Sequence, residues 1–250
     1  MSYKQIIYEK NEGIGWITLN RPEAMNALTM EMINELKDAM AIAGKDEEVS
    51  VIVLTGAGKG FSAGMDLKAL GNAKFENGGI GSVYDNPCRA FITEMRNVSK
   101  PVIGMINGAC ITGAMEIAVN CDILIASEKA KFGDTHARWG LRPSWGLSAR
   151  FPWIVGIMKA KECSYTAKIF SAAEAEQMGF VSRVVSADKL KSEVVVLANA
   201  IMKNSREAVA AMKYLYNQGM DSLLADNIRR EFETVFPIKD THARLKEFIK

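Results

Sequence analysis

The 250-residue chain is poor in the residues that mark disulfide scaffolds and metal centres. Its four cysteines are scattered and form no CxxC pair, and no histidine stands at metal-ligand spacing. Cys88, Cys110, Cys121 and Cys163 are therefore expected to be reduced thiols, three of them buried as small hydrophobic side chains. The sequence predicts no metal site.

Excess charge and long apolar runs are also missing. The net charge is +2, from 31 basic and 29 acidic residues, which leaves no extended basic surface for nucleic acid or an anionic membrane. No apolar run approaches the roughly 20 residues of a membrane span, and the first ten residues do not resemble a signal peptide. We expect a cytoplasmic protein that binds neither nucleic acid nor membrane.

The pattern of apolar residues predicts an α/β fold. Alternation predicts a hairpin near Gly13, and helical spacing predicts a helix from Leu28 to Ala43 with Thr29 as its cap. Short apolar runs predict buried parallel strands at 49–55, 102–106 and 123–126. The segment 69–87 has no period and predicts a long loop. The remaining predictions are a capping box at Ser171 and Glu174, a strand at 180–185, and helices at 190–202, 206–218, 223–235 and 243–249.

Two glycine-bearing turns follow predicted strands. In the first, Gly56 to Asp66, Lys59 is followed by Gly60 rather than Ser or Thr, which excludes a P-loop. The interval between Gly58 and Gly60 also differs from that of a dinucleotide-binding fingerprint.

The second turn, from Asn107, leads into an apolar helix with Glu116 in its first turn. Main-chain N–H groups at a helix start are fixed donors, and two of them aimed at one point would polarise a carbonyl and hold an enolate. A carboxylate in a first helical turn also has an ordinary structural explanation, so position alone does not assign Glu116 a role.

Four motifs in order resemble those of the crotonase (enoyl-CoA hydratase/isomerase) family. They are Leu19-Asn20-Arg21-Pro22-Glu23-Ala24-Met25-Asn26-Ala27-Leu28, Phe61-Ser62-Ala63-Gly64-Met65-Asp66-Leu67, the run from Ile106-Asn107-Gly108 to Gly113-Ala114-Met115-Glu116-Ile117-Ala118, and Phe132-Gly133 with Gly140-Leu141 and Pro143. The resemblance is weaker in the C-terminal helices.

The resemblance implies a crotonase-like spiral of ββα turns. Residues 1–190 would form the core that binds a CoA thioester, and residues 191–250 a helical region that builds a homotrimer or homohexamer. It also implies an oxyanion hole made by the N–H groups of Met65 and Gly113, where the missing Cβ of Gly113 lets a carbonyl approach closely.

In hydratases of this family two glutamates share one water. Glu116 matches the first position, whereas the second is occupied by His136, a departure from the pattern. Three interpretations follow: His136 replaces the carboxylate as a proton handler, Asp134 reaches the water instead, or His136 is structural and Glu116 acts alone. The third would favour an isomerase, since one carboxylate can move a proton between Cα and Cγ.

The resemblance also points to contacts with CoA, which would enter as part of the substrate and not as a separate cofactor. Main-chain groups of Ala24 and Ala63 match positions around adenine, and Lys68 matches a cation for the phosphates, although it has the alternative of a solvated surface lysine. Arg138, Trp139, Arg142, Trp145 and the loop 69–87 are expected to shape the acyl pocket, although the two tryptophans have the alternative of core packing.

Enoyl-CoA hydratase is the first function that these residues favour. A Δ3,Δ2-enoyl-CoA isomerase or another crotonase-type reaction is the alternative, and a non-catalytic CoA-binding oligomer is the hypothesis from a different class.

Overall fold

Repeated strand–strand–helix units organise the protein. A computed structural model describes residues 3–68, 78–220, 226, 229–230 and 233–240. Its strands are β1 (Ile6–Asn11), β2 (Ile14–Leu19), β3 (Val51–Gly56), β4 (Gly60–Ser62), β5 (Val102–Ile106), β6 (Ala109–Ile111), β7 (Ile123–Ser127), β8 (Lys131–Gly133), β9 (Phe170–Ser171) and β10 (Arg183–Val185). Its helices are α1 (Met30–Lys45), α2 (Ser82–Asn97), α3 (Gly113–Ala118), α4 (Leu147–Val155), α5 (Ile157–Thr166), α6 (Ala172–Gln177), α7 (Leu190–Met202) and α8 (Arg206–Gly219), and 3₁₀ turns cover Pro22–Ala24 and His136–Trp139.

The strands form two sheets. The larger has the order β1-β2-β3-β5-β7-β10 and is parallel except for the β1–β2 hairpin. The smaller has the order β4-β6-β8-β9, in which only β9 is antiparallel. In successive units β3, β5 and β7 enter the large sheet, and β4, β6 and β8 follow at once in the small one. This alternation is the predicted spiral of ββα turns.

One apolar core joins the sheets to the helices. The buried stripe of α1, which includes Met32, Leu36 and Met40, packs in the same cluster as Phe91 and Met95 of α2. On the other face of the large sheet, Leu190 and Val194 of α7 pack in a second cluster with strand residues. The first helix of the predicted C-terminal region thus lies directly on the sheet.

Most of the predicted elements are confirmed. Thr29 caps α1 by accepting a hydrogen bond from the N–H of Met32, and the capping box of Ser171 and Glu174 is present at α6. Cys88, Cys110 and Cys163 are buried, as expected. The predicted helices at 190–202 and 206–218 match α7 and α8.

Two of the predictions are wrong. Residues 82–87 are not loop but the start of α2. The apolar stripe of this helix starts only at Cys88, and Pro87 lies inside the helix, so neither periodicity nor composition indicated a helix here. The strand at 180–185 is confined to β10, since Phe180 and Val181 are core residues in the turn before it. Residues 69–77 of the predicted loop, most of the segment 223–235 and the segment 243–249 lie outside the described residues.

In the part of the chain that the structure describes, no helix is both long and apolar enough to cross a membrane.

Candidate active site

A cavity of about 290 Å³ opens between the two glycine-bearing turns. Its wall includes Met65, Gly113, Glu116 and His136, so the structure brings together the four residues predicted for chemistry. Ala63 and Trp139 also line it, as do Arg138, Arg142 and Trp145.

The main chain at Met65 is held by strand-like pairing with Leu28. The N–H of Leu28 donates to the carbonyl of Gly64 at 2.8 Å, and the N–H of Asp66 donates to the carbonyl of Leu28 at 2.9 Å. These bonds use the neighbours of Met65, so its own N–H points to the opposite side of the strand. Gly113 lies on that side: a Cβ at Gly113 would be 3.4 Å from the Met65 nitrogen.

The opening motif supports this arrangement. The side chain of Asn26 is fully buried, donates to the carbonyls of Ala57 and Gly60 at 2.9 Å, and accepts the N–H of Arg21. The guanidinium of Arg21 in turn pairs with Asp66 at 3.1 Å. The motif therefore fixes the strand that carries Met65.

Gly113 is the first residue of α3, so its N–H has no acceptor one turn earlier in the helix. The preceding Thr112 has φ 52° and ψ −106°, a conformation that a β-branched residue rarely adopts. Its hydroxyl forms a hydrogen bond with the Thr135 hydroxyl and accepts the Thr135 N–H at 3.3 Å. This pair ties the turn of Gly113 to the segment that carries His136.

Glu116 is 1% exposed, and its two carboxylate oxygens have different surroundings. Oε1 accepts the main-chain N–H of Ser144 at 3.1 Å and that of Trp145 at 2.8 Å. Oε2 lies 3.6 Å from Nε2 of His136. Burial raises the pKa of Glu116, and the His136 ring and the N–H donors of Trp145, Ser144 and Leu147 lower it by a smaller amount.

His136 is buried and its ring is held by Asp134. The distance from Nδ1 to Oδ1 of Asp134 is 2.6 Å, and the N–H of His136 donates to the same oxygen at 3.2 Å. Burial alone would raise the pKa of Asp134, but hydrogen bonds from His136 and Ser164 lower it. The remaining ring nitrogen, Nε2, therefore faces Glu116 and the cavity.

Of the residues predicted to contact CoA, Ala63 and Trp139 line the cavity. Trp139 is 58% exposed there, whereas Trp145 is buried in the core at 4%. The N–H groups of Ala24 and Ala63 donate to the carbonyls of Arg21 and Met25, both at 3.0 Å, so they are not offered to a ligand. The carbonyl of Ala24 in turn accepts the N–H of Ala27 at 3.0 Å, which leaves it one further lone pair. Lys68 is exposed. Ala24 and Lys68 are not among the described residues that line the cavity.

Sequence reasoning missed the donors that hold Glu116. Ser144 and Trp145 act through main-chain N–H groups, which give no signature in a sequence. The one available signal was Gly146, whose φ of 109° lets the chain turn sharply there before α4.

The site as a whole defines a class of enzyme. Two main-chain donors lie beside a buried carboxylate and an imidazole that an aspartate orients, which is the equipment for moving protons next to a polarised carbonyl.

Comparison with known proteins places this chain within that class. The profile of the enoyl-CoA hydratase/isomerase family matches residues 9–246, and the chain belongs to this family. It is 38% identical over 248 residues to a probable peroxisomal enoyl-CoA hydratase 1 of Arabidopsis thaliana, covering 97% of this chain and 91% of the relative.

Solved structures agree. The crystal structure of an enoyl-CoA hydratase from Bacillus anthracis matches with a TM-score of 0.91 at 29% identity, covering 98% of this chain and 96% of that one. A monofunctional enoyl-CoA isomerase from M. smegmatis matches with a TM-score of 0.76 at 31% identity, covering 90% and 98%. The chain therefore has the crotonase fold that its motifs predicted.

Proposed function

We propose that the protein is an enoyl-CoA hydratase, which adds water across the Cα=Cβ bond of an acyl-CoA thioester. The observation that carries the proposal is the 3.6 Å approach of His136 Nε2 to Glu116 Oε2 in the cavity beside Met65 and Gly113. Two proton-handling groups on one side of a carbonyl site are what hydration needs, because one proton leaves the water while another reaches Cα.

Glu116 is the proposed base, acting through Oε2, since Oε1 already accepts two N–H groups. The water oxygen bonds to Cβ, one water proton passes to Oε2, and the Cα=Cβ electrons shift toward the thioester oxygen. The N–H groups of Met65 and Gly113 would hold the resulting enolate.

His136 is the proposed acid. It enters the cycle with a proton on Nε2, which passes to Cα and discharges the enolate. The proton on Glu116 then crosses to Nε2, which restores both groups and leaves one molecule of water added in total. Asp134 keeps Nδ1 engaged throughout, so the exchanging nitrogen is always the one that faces the substrate.

CoA is proposed to lie across the cavity mouth, with Trp139 against it, the carbonyls of Ala24 and Ala63 near adenine, and Lys68 near the phosphates. The exposure of Trp139 and Lys68 supports this placement. No cofactor beyond the CoA of the substrate enters the proposed reaction.

A homotrimer or homohexamer and a cytoplasmic location are also proposed. Support for assembly comes from the apolar side chains exposed on α4 and α5: Trp153 is 76%, Met158 78% and Tyr165 73% exposed. Sedimentation at micromolar concentration should give a trimer or hexamer, and a stable monomer would contradict the proposal.

The decisive experiment is a steady-state assay with crotonyl-CoA for hydration and a 3-enoyl-CoA for isomerisation. The parent should hydrate crotonyl-CoA, and His136→Ala should lower that rate by about tenfold or more while product affinity changes little, because the lost interaction belongs to the transition state. His136→Glu, which restores a carboxylate, should hydrate better than His136→Ala.

The same assay tests the isomerase, which the M. smegmatis structure keeps as the second candidate. An isomerase would convert the 3-enoyl substrate by Glu116 alone, so His136→Ala would retain that rate. A parent that acts on neither substrate would reject both activities for these acyl groups.

A further inference from the structure

Helix α2 carries a second buried carboxylate close to the site. Asp85 is 6% exposed, and its Oδ1 accepts two side-chain donors, the Ser144 hydroxyl at 2.7 Å and the indole N–H of Trp145 at 3.0 Å. A buried indole N–H needs such an acceptor. One carboxylate oxygen therefore holds two consecutive residues by their side chains.

The same two residues hold Glu116 by their main chain. The N–H groups of Ser144 and Trp145 both donate to Glu116 Oε1, at 3.1 and 2.8 Å. The segment 144–145 thus lies between two carboxylates, with its side chains toward Asp85 and its N–H groups toward Glu116. Any rotation of this segment would move both donors relative to Glu116.

A third contact from α2 fixes the segment further. Arg89, one helical turn after Asp85, donates from Nε to the carbonyl of Ser144 at 3.0 Å. Ser144 is consequently held at its hydroxyl and at its carbonyl by one helix face. Its carbonyl shares a peptide plane with the N–H of Trp145, so the contact with Arg89 also fixes the direction of that N–H.

We propose that Asp85 is a positioning residue for Glu116: it holds the Ser144–Trp145 segment so that two N–H groups grip Oε1 and Oε2 faces His136. This rests on the proposed role of Glu116 as the base. A carboxylate suits the task because it accepts both donors at once with charge-assisted strength.

The proposal has a consequence for proton transfer. The N–H donors lower the pKa of Glu116 against the effect of burial, so loosening them raises it. Replacing Asp85 has two opposite effects on the pKa of Glu116. Loss of the negative charge lowers this pKa, whereas loss of the N–H donors raises it, so the test must hold the charge constant. Around Glu116 the charged and titratable side chains of the described residues are His136 with Asp134 behind it, Asp85 and Cys88 on α2, and Arg138 and Arg142 in the cavity wall.

The test compares Asp85→Asn with Asp85→Ala, since both remove the charge and only Asn keeps an acceptor oxygen. We expect Asp85→Ala to lower kcat by about tenfold or more with little change in KM, and Asp85→Asn to lower it much less. The acid limb of kcat/KM should lie at higher pH in Asp85→Ala than in Asp85→Asn. Glu94→Ala, roughly 13 Å further along the same helix, is the control that should match the parent.

A second readout needs no substrate. In each Asp85 variant, the unfolding temperature is measured with Glu116 and with Glu116→Gln from pH 4 to pH 9. The stability of the Glu form relative to the Gln form falls as pH rises, and the pH at which this difference levels off reports the folded-state pKa of Glu116 in that background. It should be higher in Asp85→Ala than in Asp85→Asn.

Equal acid limbs and equal levelling-off pH values in the two variants would overturn the positioning role. If Asp85→Ala does not fold, Ser144→Ala, which removes one donor to Asp85 without changing any charge, is compared with the parent instead; its acid limb and levelling-off pH should be higher, and equal values would overturn the role. Failure of the hydratase proposal is seen separately, as absence of turnover in the parent, and the unfolding measurement still decides the role of Asp85.

Discussion

Nδ1 of His136 lies 2.6 Å from Oδ1 of Asp134, two residues earlier in the same segment. The main-chain N–H of His136 donates to the same oxygen, so the carboxylate fixes both the ring and the backbone that carries it. Two of the predicted interpretations made either His136 or Asp134 the group that meets the water. In the structure Asp134 contacts Nδ1 of the His136 ring, and Nε2 of the ring faces Glu116 at 3.6 Å.

Asp134→Asn should therefore impair proton transfer through His136. An amide offers either an oxygen or an N–H to Nδ1. If the N–H is offered, Nδ1 carries no proton, and the ring could release its Nε2 proton only by becoming an anion. We expect hydration of crotonyl-CoA to fall by about tenfold or more with CoA-thioester affinity kept. Steady-state kinetics and calorimetric binding measure the two quantities, and Asp188→Asn on the surface is the control. Unchanged kcat in Asp134→Asn would contradict the proposed orientation of the ring.

Glu116→Gln should abolish most of the turnover. The amide keeps the shape and can accept the N–H groups of Ser144 and Trp145 through its oxygen, but it takes up no proton. Loss of a positioned general base costs about 10²–10⁴-fold in rate. Turnover within threefold of the parent, at unchanged affinity for the thioester, would remove Glu116 from the mechanism.

The same substitution should stabilise the fold at neutral and alkaline pH. Burial raises the folded-state pKa of Glu116 above its unfolded value of about 4.3. A raised carboxyl pKa favours the folded state below the unfolded pKa, and this advantage is lost as pH rises through the folded pKa. The unfolding temperature of Glu116→Gln relative to the parent should thus increase from pH 4 to pH 8. A difference that is constant or that shrinks over this range would show that the carboxylate is not strained by burial.

Gly64→Ala should damage both stability and activity. The φ of Gly64 is +89°, and a Cβ there would approach the carbonyl oxygen of Ile111 to 2.6 Å and the Gly113 nitrogen to 3.2 Å. The backbone would have to shift to relieve these contacts, and the shift would change the direction of the Met65 N–H. We therefore expect kcat/KM to fall by about tenfold or more.

The control for this change is Gly179→Ala. Gly179 also has a positive φ, +75°, but the nearest atom to its Cβ would be 3.9 Å away. It should lose only the roughly 1–2 kcal/mol of the left-handed conformation and keep its activity. Chemical denaturation and kinetics compare the two, and equal losses would mean that the contact with Ile111 has no effect of its own.

The elements with strong periodicity were predictable from the sequence. Helix α1, the hairpin and the buried strands β3, β5 and β7 each show a period or an apolar run that sets their type. The prediction was wrong at 82–87, where the first turn of α2 presents the buried polar Asp85 and contains no apolar stripe. Asp85 is buried because it accepts hydrogen bonds from Ser144 and Trp145, and partners so distant in the sequence leave no pattern around residue 85.

The candidate site also contains residues that motifs predicted and residues that only the structure revealed. Glu116, His136, Met65 and Gly113 came from motifs, and the structure places all four around one cavity. The groups that hold Glu116 are 28 and 29 residues away, and Asp85 is 59 and 60 residues from the two side chains that it accepts. Such contacts exist only once the ββα turns have stacked, so periodicity and spacing cannot reveal them.

The position of Trp145 makes its intrinsic fluorescence a reporter of the candidate active site. Its indole ring is buried, donates to Asp85, and lies so near Gly113 that a Cβ there would be 3.0 Å from the ring. Trp139 and Trp153 are by contrast 58% and 76% exposed, so quenchers in solution suppress their emission first. The emission that survives quenching then includes that of the Trp145 indole, which contacts Asp85 directly and belongs to a residue whose main-chain N–H contacts Glu116. We therefore expect that arrival of a thioester, or a change in the charge of Glu116, shifts this emission in the unlabelled protein.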